Sequence, residues 1–306
     1  MFYTMTLNPA LDYNMTTEEF TEGRVNRSVK EEMIPGGKGL MVSRMLKNLG
    51  VESTAFGLVA GFTGTELTRL IREAGVRTDF VCLPSGTTRI NVKLWGALEG
   101  EINAGGPVCD EESLRELFDK LAVLTKEDFL VLSGSVPKSL SKDLYVEMMR
   151  RVAKQNPWVA VDATGDLLRN VLAYRPFLVK PNHHELGELY DVTLTTKEEV
   201  LPFAKKLREE GARNVLVSMA GAGAVLAAED GSVWFGDAPK GKVVNTVGSG
   251  DSMVAGFLAA YEKAKSPEEA FRNGIASGSA SAFSASLGTK KEVELLSGQV
   301  RITRVE

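Results

Sequence analysis

The chain is constrained most by a rhythm: short apolar, β-branched runs alternate with stretches of helical periodicity and stop at Gly or Pro. Repeated strand and helix units of this kind build a mostly parallel sheet carrying helices. Phe2 to Leu7 (FYTMTL) reads as the first strand. After PGGKG, the residues Val42, Met45, Leu46 and Leu49 recur at helical spacing, and Gly50 supplies a C-terminal stop. STAFGLVA precedes a helix through Leu67, Leu70, Ile71 and Ala74, and a helix through Leu114, Leu117, Phe118 and Leu121 precedes FLVLSGS. WVAVDATG, FLVKPN and NVLVSM complete the series, each ending in polar or small residues. Ligands of open parallel sheets bind beyond the carboxyl ends of the strands, so those endings are where chemistry is expected.

Two segments break the rhythm. Residues Asp12 to Ile34 carry no long helical pattern, and TTRINVKLWGALEGEINAGG alternates around a turn near Glu99-Gly100, as a hairpin does. Together, at about 12–34 and 88–106, they predict a small four-stranded lid over a cleft, with strand edges through which a homodimer could form. The full length of 306 residues suits one domain, 1–306, rather than two equal ones.

A net charge of −4 with both signs interspersed offers no basic face for nucleic acid. No run reaches the length of a membrane span and the N-terminus lacks a signal-peptide pattern, so a cytoplasmic protein with small-molecule ligands is expected. Cys82 and Cys109 have no CxxC spacing and read as reduced structural thiols.

The strongest chemical signal is VVNTVGSGDSMVAGFLAAY. Gly248, Ser249 and Gly250 allow close backbone approach at a helix N-terminus, which makes an anion hole. Asp251 beside them is placed to accept the proton of an attacking hydroxyl while amides hold a phosphoryl group. The same pattern also suits an ordinary Asp cap on a helix. IPGGKGLMVSRML is a second glycine turn that opens a helix. Neither GxxxxGK[ST] nor GxGxxG occurs, since Met253 and Leu226 stand where a third Gly is needed, which disfavours P-loop and dinucleotide-binding proteins. His183 and His184 adjoin Glu185, but adjacent side chains diverge and no further ligand stands nearby, so a transition-metal site is not indicated.

Taken in order, TLNPALD, GGKGLMVSRML, TTRINVKL, LSGSVP, VKPNHHEL and NTVGSGDSMVAGF resemble the ribokinase/PfkB family of sugar kinases across almost the whole chain. Within it the likeness is nearest to the kinases of fructose 1-phosphate, then to those of tagatose 6-phosphate. The resemblance implies a three-layer α/β/α ribokinase-like core with a mostly parallel sheet and a small β-sheet lid, and ATP with Mg²⁺. It implies Asp251 as base, with Gly248, Ser249 and Gly250 as the anion hole. Asp12, Gly37, Lys38 and the position of Met41 would line the sugar site, with Arg24, Arg89 and Asn91 reaching over from the lid. Lys180, Asn182 and Glu185 would serve ATP, the last two supporting Mg²⁺ indirectly, along with Ser218, Gly223, Asn273, Ala276 and Gly278. Two positions depart from the family pattern: Met41 replaces an Asn, and Ala220 replaces the first Gly of Ser-x-Gly-x-x-Gly. A sugar-phosphate sensor without catalysis is the rival from another class, and a kinase of unphosphorylated sugars or nucleosides is disfavoured by Arg24, Lys38 and Arg89.

Overall fold

In the computed structural model, which describes residues Met1 to Glu306, the apolar runs become strands covered on both faces. In chain order these begin β1 (Phe2–Thr6), β2 (Ala10–Thr17), β3 (Lys30–Gly36), β4 (Ser53–Ala60), β5 (Arg77–Leu83), β6 (Arg89–Gly96) and β7 (Gly100–Asn103). They continue with β8 (Phe129–Ser133), β9 (Trp158–Asp162), β10 (Leu178–Val179), β11 (Asn214–Ser218), β12 (Ala224–Ala227), β13 (Val233–Asp237) and β14 (Arg301–Arg304). The helices are α1 (Lys38–Asn48), α2 (Gly61–Glu73), α3 (Glu111–Lys120), α4 (Leu144–Val152) and α5 (Gly165–Val171). Then follow α6 (His183–Tyr190), α7 (Lys197–Glu209), α8 (Ser249–Ala264), α9 (Pro267–Ala282) and α10 (Lys290–Ser297).

Ten strands form one sheet in the order β14-β13-β12-β11-β10-β9-β8-β1-β4-β5. From β11 to β5 every pairing is parallel, while β12, β13 and β14 extend the sheet antiparallel. Strand periodicity explains the two cores. Along β8, Leu130 and Leu132 join a cluster with α3, α4, α5 and α7 residues, whereas Phe129 and Val131 join the one holding α1, α8, α9 and α10 residues. Successive side chains point to opposite faces, so a strand covered on both sides reads as a continuous apolar run. The result is a helix, sheet, helix sandwich. Leu121, expected to continue α3, falls instead in a short 3₁₀ turn, Leu121–Val123.

The two irregular segments form a separate sheet in the order β3-β2-β6-β7. Its central pair is parallel and sets Asp12 opposite Asn91, with β3 and β7 antiparallel at the edges. Both cysteines are unpaired. No helix is long and apolar enough to cross a membrane.

Candidate active site

Helix α8 starts at a left-handed Gly248, with φ 80° and ψ −2°. A Cβ there would lie 3.0 Å from Leu287 Cδ2 and 3.2 Å from Met41 Cε, so both conformation and space favour glycine. The Ser249 amide donates to Thr246 O at 3.2 Å, leaving the Gly250 and Asp251 amides of the first turn as outward donors. Asp251 makes no capping hydrogen bond at this terminus.

Two cavities meet at Asp251. One, of about 460 Å³, lies between the carboxyl ends of the parallel strands and the small sheet, and includes Asp12, Gly37, Lys38, Met41, Arg89 and Asn91. The other, of about 820 Å³, runs along α8, α9 and the Ser218–Gly223 turn, and includes Lys180, Asn182, Ser218, Gly223, Gly248, Ser249, Gly250 and Gly278. Lys38, Asp162, Glu185 and Asp251 line both. A group bound in one cavity can reach a group bound in the other only past these four.

Their charges are interlocked. Asp162, 2% exposed at the end of β9, has its Oδ1 3.4 Å from Lys38 Nζ and 3.6 Å from Lys180 Nζ. Asp251 is 8% exposed, and its pKa is pushed up to about 7, first by burial and then by the negative charge of Asp162, against the pull of Lys38 and Lys180. Burial works to lower the Lys38 pKa, but Asp162, Asp251 and Glu185 outweigh it and hold it above its ordinary value. A carboxylate poised near neutrality beside fixed cations is the arrangement a general base needs.

In the smaller cavity, Asp12 Oδ1 accepts from Asn91 Nδ2 at 2.8 Å, and Arg89 Nε donates to Asn8 O at 3.0 Å. Burial lowers the Arg89 pKa, countered in part by Asp12. Gly37, with φ 126°, admits the close approach of Thr6 Cγ2, which a Cβ would meet at 2.8 Å. Met41 both lines this cavity and packs in the core with Met45, Met253 and Leu287. Arg24, expected to reach over from the lid, sits exposed on the Thr21–Asn26 turn and lines neither cavity. That turn is tied to itself through Asn26, which bonds Thr21 and Arg24 backbone groups.

On the other side, Asn182 and Glu185 form a capping box that starts α6, with Asn182 N donating to Glu185 Oε2 at 2.8 Å. His183 and His184 line the same cavity with ring centroids 3.9 Å apart and planes tilted by 38°, and no cluster of three metal-ligating side chains exists. Two of the expected residues face elsewhere. Asn273 lies away from this cavity and donates to Glu269 O at 2.9 Å, and Ala276 is wholly buried in the core. Ile275, Gly278, Ser279 and Phe283 present the α9 side of the cavity instead. Ala220 adopts φ 48°, the left-handed region, so the departure from glycine falls where the backbone favours glycine.

Asp162, the most buried charge of the site, carries no motif of its own in the sequence; its only signal is that WVAVDATG ends a strand where ligands are expected. Asn8 and Ser133 were also missed. Asn8 Oδ1, Thr6 Oγ1, Ser133 Oγ, Asp162 Oδ2 and Ser249 Oγ are all buried without a hydrogen-bond partner in the two cavities. Buried polar atoms are seldom left unpaired, so this concentration marks a place built for polar ligands.

A doubly wound sheet with a small second sheet over paired cavities, an aspartate behind a glycine turn, and lysines around it define a phosphotransferase of the sugar-kinase kind. Residues 5–293 match the family model of pfkB family carbohydrate kinases, and the chain belongs to that family, whose phosphoryl donor is ATP. It is 47% identical over 305 residues to the 1-phosphofructokinase of Bacillus subtilis strain 168, covering 100% of both chains. It is 35% identical over 306 residues to the D-tagatose-1-phosphate kinase of Bacillus licheniformis, again covering 100% of both. Among solved structures it resembles Escherichia coli phosphofructokinase-2 in complex with fructose-6-phosphate, with TM-score 0.89 and 28% identity over 97% of this chain and 98% of the other.

Proposed function

We propose that the protein transfers the γ-phosphoryl group of ATP to the C6 hydroxyl of fructose 1-phosphate, giving fructose 1,6-bisphosphate and ADP. The observation that carries this reading is the meeting of the two cavities at Asp251. In this reading the sugar phosphate occupies the cavity under the small sheet, with Asp12 accepting sugar hydroxyls and Arg89 pairing with the phosphate already present. ATP lies along α8 and α9 with its γ-phosphate at the Gly250 and Asp251 amides. Asp251 takes the proton of the acceptor hydroxyl as its oxygen bonds to phosphorus and the bond to the ADP oxygen breaks. Lys38 offsets charge on the transferring group.

Mg²⁺ fits here indirectly. With one Glu185 oxygen committed to its capping box, and no cluster of three side chains able to hold an ion, the ion would rest on phosphates and waters, with Glu185 and Asn182 steadying the waters. When bound, it neutralises phosphate charge.

The small sheet, about 12–34 and 88–106, acts as a lid that excludes water from the reacting group. Its outer strands β3 and β7 have open edges, and Met33 and Ile102 on them are exposed, which favours a homodimer joined through the lids. A cytoplasmic enzyme suits this reading, because ATP and sugar phosphates are its substrates. Tagatose 1-phosphate is the alternative acceptor, favoured by the Bacillus licheniformis relative. Tagatose 6-phosphate is a further candidate acceptor, and intact Asp251 speaks against a non-catalytic sensor. The test is ATP turnover against fructose 1-phosphate, fructose 6-phosphate and the two tagatose phosphates. The highest kcat/KM is expected on fructose 1-phosphate, and a preference for either 6-phosphate overturns the assignment.

A further inference from the structure

Asp12 is held by a residue that the sugar cavity does not expose. One carboxylate oxygen takes Asn91 Nδ2 at 2.8 Å, and the other, Oδ2, faces Lys93 Nζ at 3.4 Å. Lys93 is only 8% exposed, and its second partner is Glu101 Oε1, 3.6 Å away on the edge strand β7. Arg89, Asn91 and Asp12 line the cavity, whereas Lys93 does not. It stands behind the carboxylate.

The register of the small sheet explains the grouping. Arg89, Asn91 and Lys93 are alternate residues of β6 and so share one face. Parallel pairing sets Asp12 directly opposite Asn91, which brings Asn91 and Lys93 to its two oxygens from successive positions of that face. Desolvating an ammonium is costly, and an exposed Lys–Glu pair contributes little, so the partner that accounts for the burial of Lys93 is Asp12 rather than Glu101. Each carboxylate oxygen can accept two hydrogen bonds. With Asn91 donating to Oδ1 and the Lys93 ammonium paired with Oδ2 at 3.4 Å, the carboxylate is fixed in direction and each oxygen keeps acceptor capacity for a ligand.

We propose that Lys93 is a positioning residue for sugar recognition: it holds the Asp12 carboxylate in one orientation, so that both oxygens accept from hydroxyls of the ketose, and it ties this carboxylate to the edge strand through Glu101. The proposal rests on the reading of this cavity as the ketose-phosphate site.

The full-length wild type is first run against the substrate panel, and whichever ketose phosphate it turns over serves as the variable substrate. A failure of the fructose 1-phosphate assignment is thereby kept apart from a failure of the role of Lys93. Lys93→Met is expected to raise KM for the sugar phosphate about tenfold or more while kcat and KM for ATP stay within about twofold. Lys93→Arg, which keeps the charge, recovers most of the loss. In an Asp12→Asn background Lys93→Met has little further effect, because a neutral amide no longer needs the cation. If the Met variant does not fold, Lys93→Gln takes its place with the same expected pattern. An unchanged sugar KM, an equal loss on both substrates, or the same fold-loss in the Asp12→Asn background overturns the proposal.

Discussion

Lys38 and Asp162 are 124 positions apart in the chain, yet Lys38 Nζ lies 3.4 Å from Asp162 Oδ1. The contact joins the first residue of α1 to the end of β9, and so ties the first glycine turn of the sequence to the charge cluster beside Asp251. Asp251 feels both partners in opposite senses, which gives the pair a measurable effect on the base.

With Asp251 pushed up to about 7 in the free enzyme, kcat/KM should fall as pH drops through that region, because the protonated carboxyl cannot take a proton. Asp162→Asn removes the negative charge that raises the Asp251 pKa, so the acidic limb should move to lower pH. A pH profile of kcat/KM for both proteins checks this. A limb that stays put or moves upward contradicts the coupling.

Arg89→Ala should weaken sugar-phosphate binding by about 2–5 kcal/mol if the pair is desolvated, with ATP binding nearly unchanged. Calorimetric titration of each ligand separates the two. Equal losses would place Arg89 outside the phosphate subsite.

Ala220→Gly should raise stability by about 0.5–1 kcal/mol, since relief at φ 48° exceeds the entropy that glycine adds to the unfolded chain. Thermal melting provides the readout, and a lower Tm would refute the strain.

Met41→Asn should lower KM for the sugar phosphate several-fold without altering KM for ATP, because an amide there adds about one hydrogen bond, worth about 0.5–1.5 kcal/mol. It should also destabilise the protein, because Met41 is only 9% exposed and packs among Met45, Met253 and Leu287. Kinetics and melting together decide the matter. A destabilised variant with unchanged sugar kinetics would reduce Met41 to packing alone.

Much of this molecule is written in local patterns. The strand β8 is apolar throughout because both its faces are covered, and the Gly248 turn announces itself because its left-handed backbone lies close to Leu287 and Met41. What escaped is set by direction and by assembly. Helix α9 is buried nearly all round, so its sequence does not tell which side meets the cavity; Asn273 stands about 200° around the helix from cavity-facing Ile275. Arg24 belongs to a turn whose direction depends on backbone bonds through Asn26. Asp162 looks like any polar strand end until β9, β10 and α1 converge and bring Lys38 and Lys180 to it.

In the proposed reaction Asp251 removes the proton of the acceptor hydroxyl. The most direct test of this role is single-turnover phosphoryl transfer from ATP to fructose 1-phosphate by Asp251→Asn, with the binding of both substrates measured on the same preparation. An asparagine keeps the shape of the side chain but cannot take the proton, so the transfer rate should fall by roughly 10²–10⁴-fold with both affinities largely retained. Transfer at a near-normal rate in a variant that binds both substrates would contradict the account.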